Sequence, residues 1–311
     1  MSLPVSAERS APRGFIGSRA EGICLLLFTA CCWGMTWPQA KFLLSMLPPF
    51  SMRTLCGVAG SLFAFLLAAA RRERLMPPRE QWPWLIVFAM LNYGLFVVLT
   101  TLALVWLSAS EAVVITYTLP IWASILAWPM LGERLNLRRI AAILLGCGGV
   151  AAMVGIGFAP ASSGAAGQGV WAKLPGASVA LAAAWLFGLG TVVAKKHPLR
   201  MPPTAGVAWQ AAIGTIPVLL LSLWEHPVWS GVSLRGWAAV GYIAVFPFSL
   251  AYLTWFRALK LVPASTAATT VLVSPMVGVL GSALMLGDAL GPRQWLALAM
   301  TLMGVALAAR A

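Results

Sequence analysis

Residues 109–151 form an apolar run broken by Pro120 and by the signature Leu131-Gly132-Glu133-Arg134-Leu135, and residues 264–306 repeat that pattern. Pro275 answers Pro120, and Leu286-Gly287-Asp288-Ala289-Leu290 answers the signature, both at an offset of 155 with no gap. Ala109, Ser110, Ala112, Met130, Leu135, Arg138, Ala142, Gly149 and Val150 recur identically at the same distance. The chain is a duplication, so its fold must be assembled from two copies of one unit.

Composition names the solvent around those copies. Hydrophobic residues make up 60% of the chain and charged residues 9%, with a mean hydropathy of +0.88, whereas about a quarter of the residues in a soluble domain are charged. This is a membrane protein, and spans of roughly 20 residues each use up nearly all of its length, which leaves no room for a soluble catalytic domain. Ten apolar runs fall near 22–47, 50–70, 82–107, 109–130, 137–158, 175–194, 204–224, 235–256, 264–286 and 292–309. Open strands cannot satisfy their backbone in lipid and the runs are too long for barrel strands, so the expected fold is all-α with ten transmembrane helices. Residues 1–20 are expected to be a disordered cytoplasmic tail, and 159–174, rich in Gly, Ala and Ser, a connector between the halves. The first run is too long for a signal-peptide core and is kept as a span.

The net charge of +13 does not indicate nucleic acid, because the basic residues lie in short loops rather than on one surface. With the N-terminus inside, sixteen of the 21 Lys and Arg fall on the inner side, and five (Lys41, Arg53, Lys173, Arg235 and Arg293) on the outer. Positive charge is retained in the cytoplasm, which places both termini there. Five spans per copy is an odd number, so the second copy enters from the opposite face and the repeats are inverted. Ala30, Gly34, Ala40 and Lys41 recur as Ala184, Gly188, Ala194 and Lys195, 154 residues on. Such inverted pairs can exchange conformations around a shared central site, which is the requirement of a solute carrier.

Trp33-Gly34, Pro120, the Leu-Gly-Glu-Arg-Leu signature, the glycines of the fifth run and their echoes in the second half resemble the drug/metabolite transporter superfamily, specifically its ten-span family with paired EamA-type repeats. The resemblance covers residues 22–309 and divides the chain into a first EamA-type repeat at 21–158 and a second at 175–311. Asp288-Ala289 in place of Glu133-Arg134 departs from the pattern of the first copy. What the resemblance implies is an exporter in the cell inner membrane for small metabolites, with carriers of neutral and aromatic amino acids closest in character. Rival readings are a carrier for nucleobases, sugar derivatives or toxic amphiphiles, and a lipid-handling or structural membrane protein.

Pro120 and Pro275 lack an N–H and should kink their spans, which makes them candidate hinges; prolines tolerated in a packed bundle are the competing reading. Ser110, Val113, Tyr117, Pro120 and Ser124 share one helical face, and lipid would penalise its polar groups. The candidate solute-binding residues are Trp33, Asn92, Tyr93, Tyr117, Trp185, Trp209, Gln210, Tyr242, Tyr252 and Ser274. Aromatic rings would bury the apolar part of a neutral solute while hydroxyl and amide groups orient a zwitterion; an interfacial belt is the alternative for tryptophan. None of the eight acids lies at mid-span, and proton relays usually place one there, so transport down the solute gradient or by exchange is expected. There is no phosphate-binding loop, nucleophile elbow or metal-spaced cysteine pair, and the expectation is no enzyme, no cofactor and no metal. The expected partners are a small-molecule solute and the lipid bilayer, without nucleic acid, for a monomer or homodimer.

Overall fold

A run that must satisfy its own backbone in lipid folds as a helix. In the computed structural model, which describes residues 14–132, 137–155, 164–262 and 264–309, every regular element among the described residues is helical. The first half holds α1 (Gly14–Leu43), α2 (Pro49–Ala70), α3 (Trp82–Ala89), α4 (Leu95–Trp106), α5 (Ala109–Thr116), α6 (Leu119–Leu131) and α7 (Leu137–Val154). The second holds α8 (Gly164–Lys196), α9 (Pro203–Ser222), α10 (Leu234–Val245), α11 (Ala251–Leu261), α12 (Ala264–Val271), α13 (Val273–Leu286) and α14 (Pro292–Ala309). Among the described residues, seven helical stretches are long and apolar enough to cross a membrane, and Ile140–Val154 and Val273–Leu286 are shorter apolar helices.

The ends of these helices follow local chemistry. Pro49 opens α2 and Pro203 opens α9, positions where the missing N–H costs nothing. Gly132 ends α6 and Gly287 ends α13, both left-handed, with φ 71° and 73°; a side chain there would be strained. The Glu133 and Arg134 of the signature lie outside the described residues.

Three features differ from the sequence expectation, while the breaks in the two proline-bearing runs fall where kinks are expected. Residues 14–20, expected as part of a disordered tail, are the first turns of α1, and residues 164–174 of the expected connector are the first turns of α8. Extending an existing helix adds a hydrogen bond per residue fixed and needs no new nucleus, so weakly apolar flanks join their spans. The run at 109–131 is broken at Tyr117-Thr118 and that at 264–286 at Leu272, in each case just before the proline. The third run of each half carries a π-turn at its centre, Met90–Gly94 between α3 and α4 and Phe246–Leu250 between α10 and α11.

Corresponding helices of the two halves pack on one another. α2 pairs with α9 and α7 with α14, while α1 lies along α12 and α13, and α8 along α5 and α6. The α2 N-terminus is capped by Glu225, which follows α9, through Phe50 N at 3.0 Å and Ser51 N at 2.6 Å. The α9 N-terminus is capped by Glu73, which follows α2, through Thr204 Oγ1 at 2.7 Å and Ala205 N at 3.0 Å. The two helices therefore run antiparallel. Glycine permits the crossing of α1 and α8 with the opposite half: a Cβ on Gly34 would lie 2.5 Å from the Ser274 carbonyl oxygen, and one on Gly188 2.8 Å from Ala123 N. Small residues of this kind let helices approach closely in lipid, where apolar side chains gain nothing by leaving their surroundings.

Candidate functional site

The two π-turns meet at the centre of the bundle. A π-turn widens the helix by one residue and leaves its side chains out of the ordinary register. In the first half it carries Asn92 and Tyr93, and in the second Pro247, Phe248 and Ser249. Tyr93 packs against Phe248, the rings tilted by 39° with centroids 5.0 Å apart, and lies over Gly214 of α9. On the other flank of the same turn, Trp33 donates from Nε1 to the Pro247 carbonyl at 3.2 Å. The Trp33 ring is 5.4 Å from Tyr252, edge on, and 5.7 Å from Trp255. Tyr252 in turn faces both Tyr93 and Tyr117 closely enough to interact electrostatically. Thr29 fixes α1 against α11 through the Ala251 carbonyl at 3.2 Å and Thr254 Oγ1 at 2.7 Å.

Trp33, Tyr93, Tyr117, Tyr252 and Ser274 thus come from both halves onto one region, with Tyr93 and Ser274 buried and the other three half-buried. Its polar atoms are incompletely paired: the Tyr93 hydroxyl, Thr116 Oγ1 and Ser274 Oγ are buried without a hydrogen-bond partner, as is Asn92 Oδ1 away from the cluster. Ser274 adjoins the Tyr117 hydroxyl without reaching hydrogen-bond geometry. Buried polar groups are normally paired, because each orphan costs about 1–3 kcal/mol. Several orphans around one aromatic cluster indicate a place shaped for a polar guest. Pro120 and Pro275 add acceptors by lacking the N–H that would serve the carbonyls of Thr116 and Val271.

The remaining candidates are elsewhere. Tyr242 donates to the Cys32 carbonyl at 3.1 Å and stacks on Phe246 at 5.1 Å, beside the cluster. Asn92 is pressed onto Gly190 of α8. Trp209 donates to the Leu75 carbonyl at 2.8 Å and packs against Phe65 and Trp82, an aromatic group by the loop after α2 and apart from the cluster. Gln210 is half-buried on α9, and Trp185 is 39% exposed on α8.

The sequence reading missed one residue. Arg53, counted with the outer charges, is 6% exposed and lies inside α2, where Nε donates to Thr101 Oγ1 at 2.9 Å. A charge within an apolar run, rather than beside it, is the signal that marks it. The other deeply buried charge among the described residues, Glu111 at 5% exposed, is paired with Lys173 and closes a capping box with Ser108. Lys41 points its ammonium at the α4 C-terminus, 2.9 Å from the Leu107 carbonyl, and Asp288 binds Ser110 N at 3.1 Å and Oγ at 2.7 Å. No cluster of three His, Cys, Asp or Glu suited to a metal occurs among the described residues.

The sequence profile of the EamA-like transporter family matches residues 20–155 and again residues 174–310. The chain belongs to that family. This EamA-like transporter carries the unit twice, and its helices are those of a multi-pass membrane protein. It is 29% identical over 271 residues to the uncharacterized transporter YvbV of Bacillus subtilis, spanning 86% of this chain and 84% of that one. It is 26% identical over 243 residues to the aromatic amino acid exporter YddG of Ancylobacter novellus, spanning 76% and 79%. A crystal structure at 22% identity superposes on this EamA-like transporter with a TM-score of 0.65, covering 94% of this chain and 98% of the other, a likeness of fold.

Proposed function

We propose that this transporter exports neutral and aromatic amino acids across the cell inner membrane, as ten spans in two inverted five-span repeats with both termini in the cytoplasm. The observation that carries the reading is the aromatic cluster of Trp33, Tyr93, Tyr117 and Tyr252, drawn from both repeats, with the unpaired Tyr93 and Ser274 hydroxyls in it. The rings bury the side chain of the solute, and the hydroxyls and proline-released carbonyls take its polar end. The similarity to the aromatic amino acid exporter agrees with this cargo.

The topology is supported by which loops bond to one another. Contacts such as Glu225 to Ser51, Asp288 to Ser110 and Lys173 to Glu111 join segments that ten spans place outside. Glu73 to Thr204, Arg200 to Gln81 and Arg257 to Glu21 join segments that they place inside. The antiparallel α2 and α9 fit inversion as well. Alternating access then comes from bending at the breaks before Pro120 and Pro275, and the gradient of the solute or its exchange drives the cycle.

Flux in proteoliposomes tests the reading. Labelled tryptophan, phenylalanine, methionine and threonine should be transported and a charged amino acid excluded. Transport of nucleobases or sugar derivatives in their place, or lipid movement without any solute flux, overturns it.

A further inference from the structure

Arg53 is a guanidinium buried among apolar helices with one hydrogen bond out of five possible donors. It has no carboxylate partner among the described residues. Glu225, which caps the start of the same helix, is committed to Phe50 N and to Ser51. Glu111 is held by Lys173 and Ser108, Asp288 by Ser110, Glu73 by the start of α9 and Glu21 by Arg257. The ionisable side chains that face Arg53 are Cys56, one turn further along α2, and Tyr93. Neither supplies a negative charge at neutral pH.

An ionised group inside a membrane is costly and marks a functional site when it lacks a partner of its own. The duplication sharpens the point. Pro48-Pro49 and Pro202-Pro203 begin α2 and α9 at an offset of 154, and the residue corresponding to Arg53 is Val207. One copy of the unit manages this position with an apolar side chain, so the charge is not a requirement of the fold. It also gives the central region one electropositive side, next to the unpaired Tyr93 hydroxyl.

We infer that Arg53 is the anchor for the carboxylate of the transported solute. The planar fork of the guanidinium matches a carboxylate through two parallel hydrogen bonds, with the Tyr93 hydroxyl as a further donor. The aromatic cluster then takes the side chain, and the ammonium is left to carbonyls and ring faces. This deepens the amino-acid reading above and rests on it for the amino group of the cargo, whereas the carboxylate requirement stands on Arg53 itself.

Purified transporter in proteoliposomes is offered tryptophan, tryptophanamide and indole-3-propionate, with uptake and ligand-induced thermal stabilisation read for wild type, Arg53→Gln and Arg53→Lys. Wild type should prefer tryptophan to its amide at least tenfold and be stabilised by indole-3-propionate. Arg53→Gln should lose both effects, and Arg53→Lys should keep part of the preference. If wild type treats tryptophan and its amide alike, or if Arg53→Gln keeps the ratio, the anchor is wrong while amino-acid transport stands. If indole-3-propionate stabilises wild type in an Arg53-dependent way but tryptophan is not carried, the anchor stands and the amino-acid reading falls. Absence of any response to all three compounds in wild type overturns both. Should Arg53→Gln fail to fold, the wild-type ratio and Arg53→Lys decide alone.

Discussion

Tyr93 and Phe248 pack ring against ring, 5.0 Å apart, each within a π-turn in the third span of its repeat. The contact joins the halves at the place where both helices are least regular. A π-turn is one shift of hydrogen bonding away from an α-helix, so this pair sits where either span can change length with little loss of backbone bonding.

Tyr93→Phe separates packing from binding. It keeps the contact with Phe248 and removes a buried hydroxyl that has no partner. Stability should be unchanged or raised by up to about 1 kcal/mol, since an orphaned polar group is deleted, while solute flux falls several-fold. Thermal unfolding in detergent and proteoliposome flux measure the two arms, and a large loss of stability would contradict the description of that hydroxyl.

The caps between α2 and α9 should behave as independent fasteners. Glu225→Ala and Glu73→Ala each remove bonds to a helix N-terminus and should cost about 1–2 kcal/mol apiece. They lie at opposite ends of the antiparallel pair, so the double variant should show the sum within about 0.5 kcal/mol. Denaturant titration of the three variants checks this.

The α7 and α14 seam predicts a paired response. A Cβ on Gly149 would lie 3.0 Å from the Ala297 carbonyl oxygen and one on Gly304 2.9 Å from that of Ala142, repeat-related positions in exchange. Gly149→Val and Gly304→Val should each destabilise by about 1–3 kcal/mol through overpacking. Two very different unfolding shifts would argue against equivalent packing.

Energy coupling is tested directly. Among the described residues Glu73, Glu111, Glu225 and Asp288 are committed at helix ends, Glu21 is paired with Arg257 and Glu80 is exposed. Export at a fixed solute gradient should therefore survive an uncoupler with little change in initial rate, measured in inverted vesicles; collapse of the rate would require a proton site.

Much of this arrangement was legible in the sequence. The duplication was visible because both copies keep their glycines and prolines, and these have backbone consequences: Gly132 and Gly287 take the same left-handed cap, and the helices break before Pro120 and Pro275. The π-turns were not legible, since Met90–Gly94 is as apolar as an ordinary helical turn and the extra residue leaves no mark in composition. Trp185 was assigned by depth in its span, and depth says nothing about direction around the helix axis; its exposure on α8 is a matter of rotation alone. Arg53 falls within the 50–70 run yet counts with the outer charges, because a tally of charges near span ends ignores which side of the boundary they occupy.

Gly34 and Gly188 each press their helix against the other half of the chain rather than their own. Neither half can therefore close its own seam. Expressed separately, each would present a bare groove to the lipid that only the complementary fragment would fill, and a chain cut between α7 and α8 should leave the two fragments bound together.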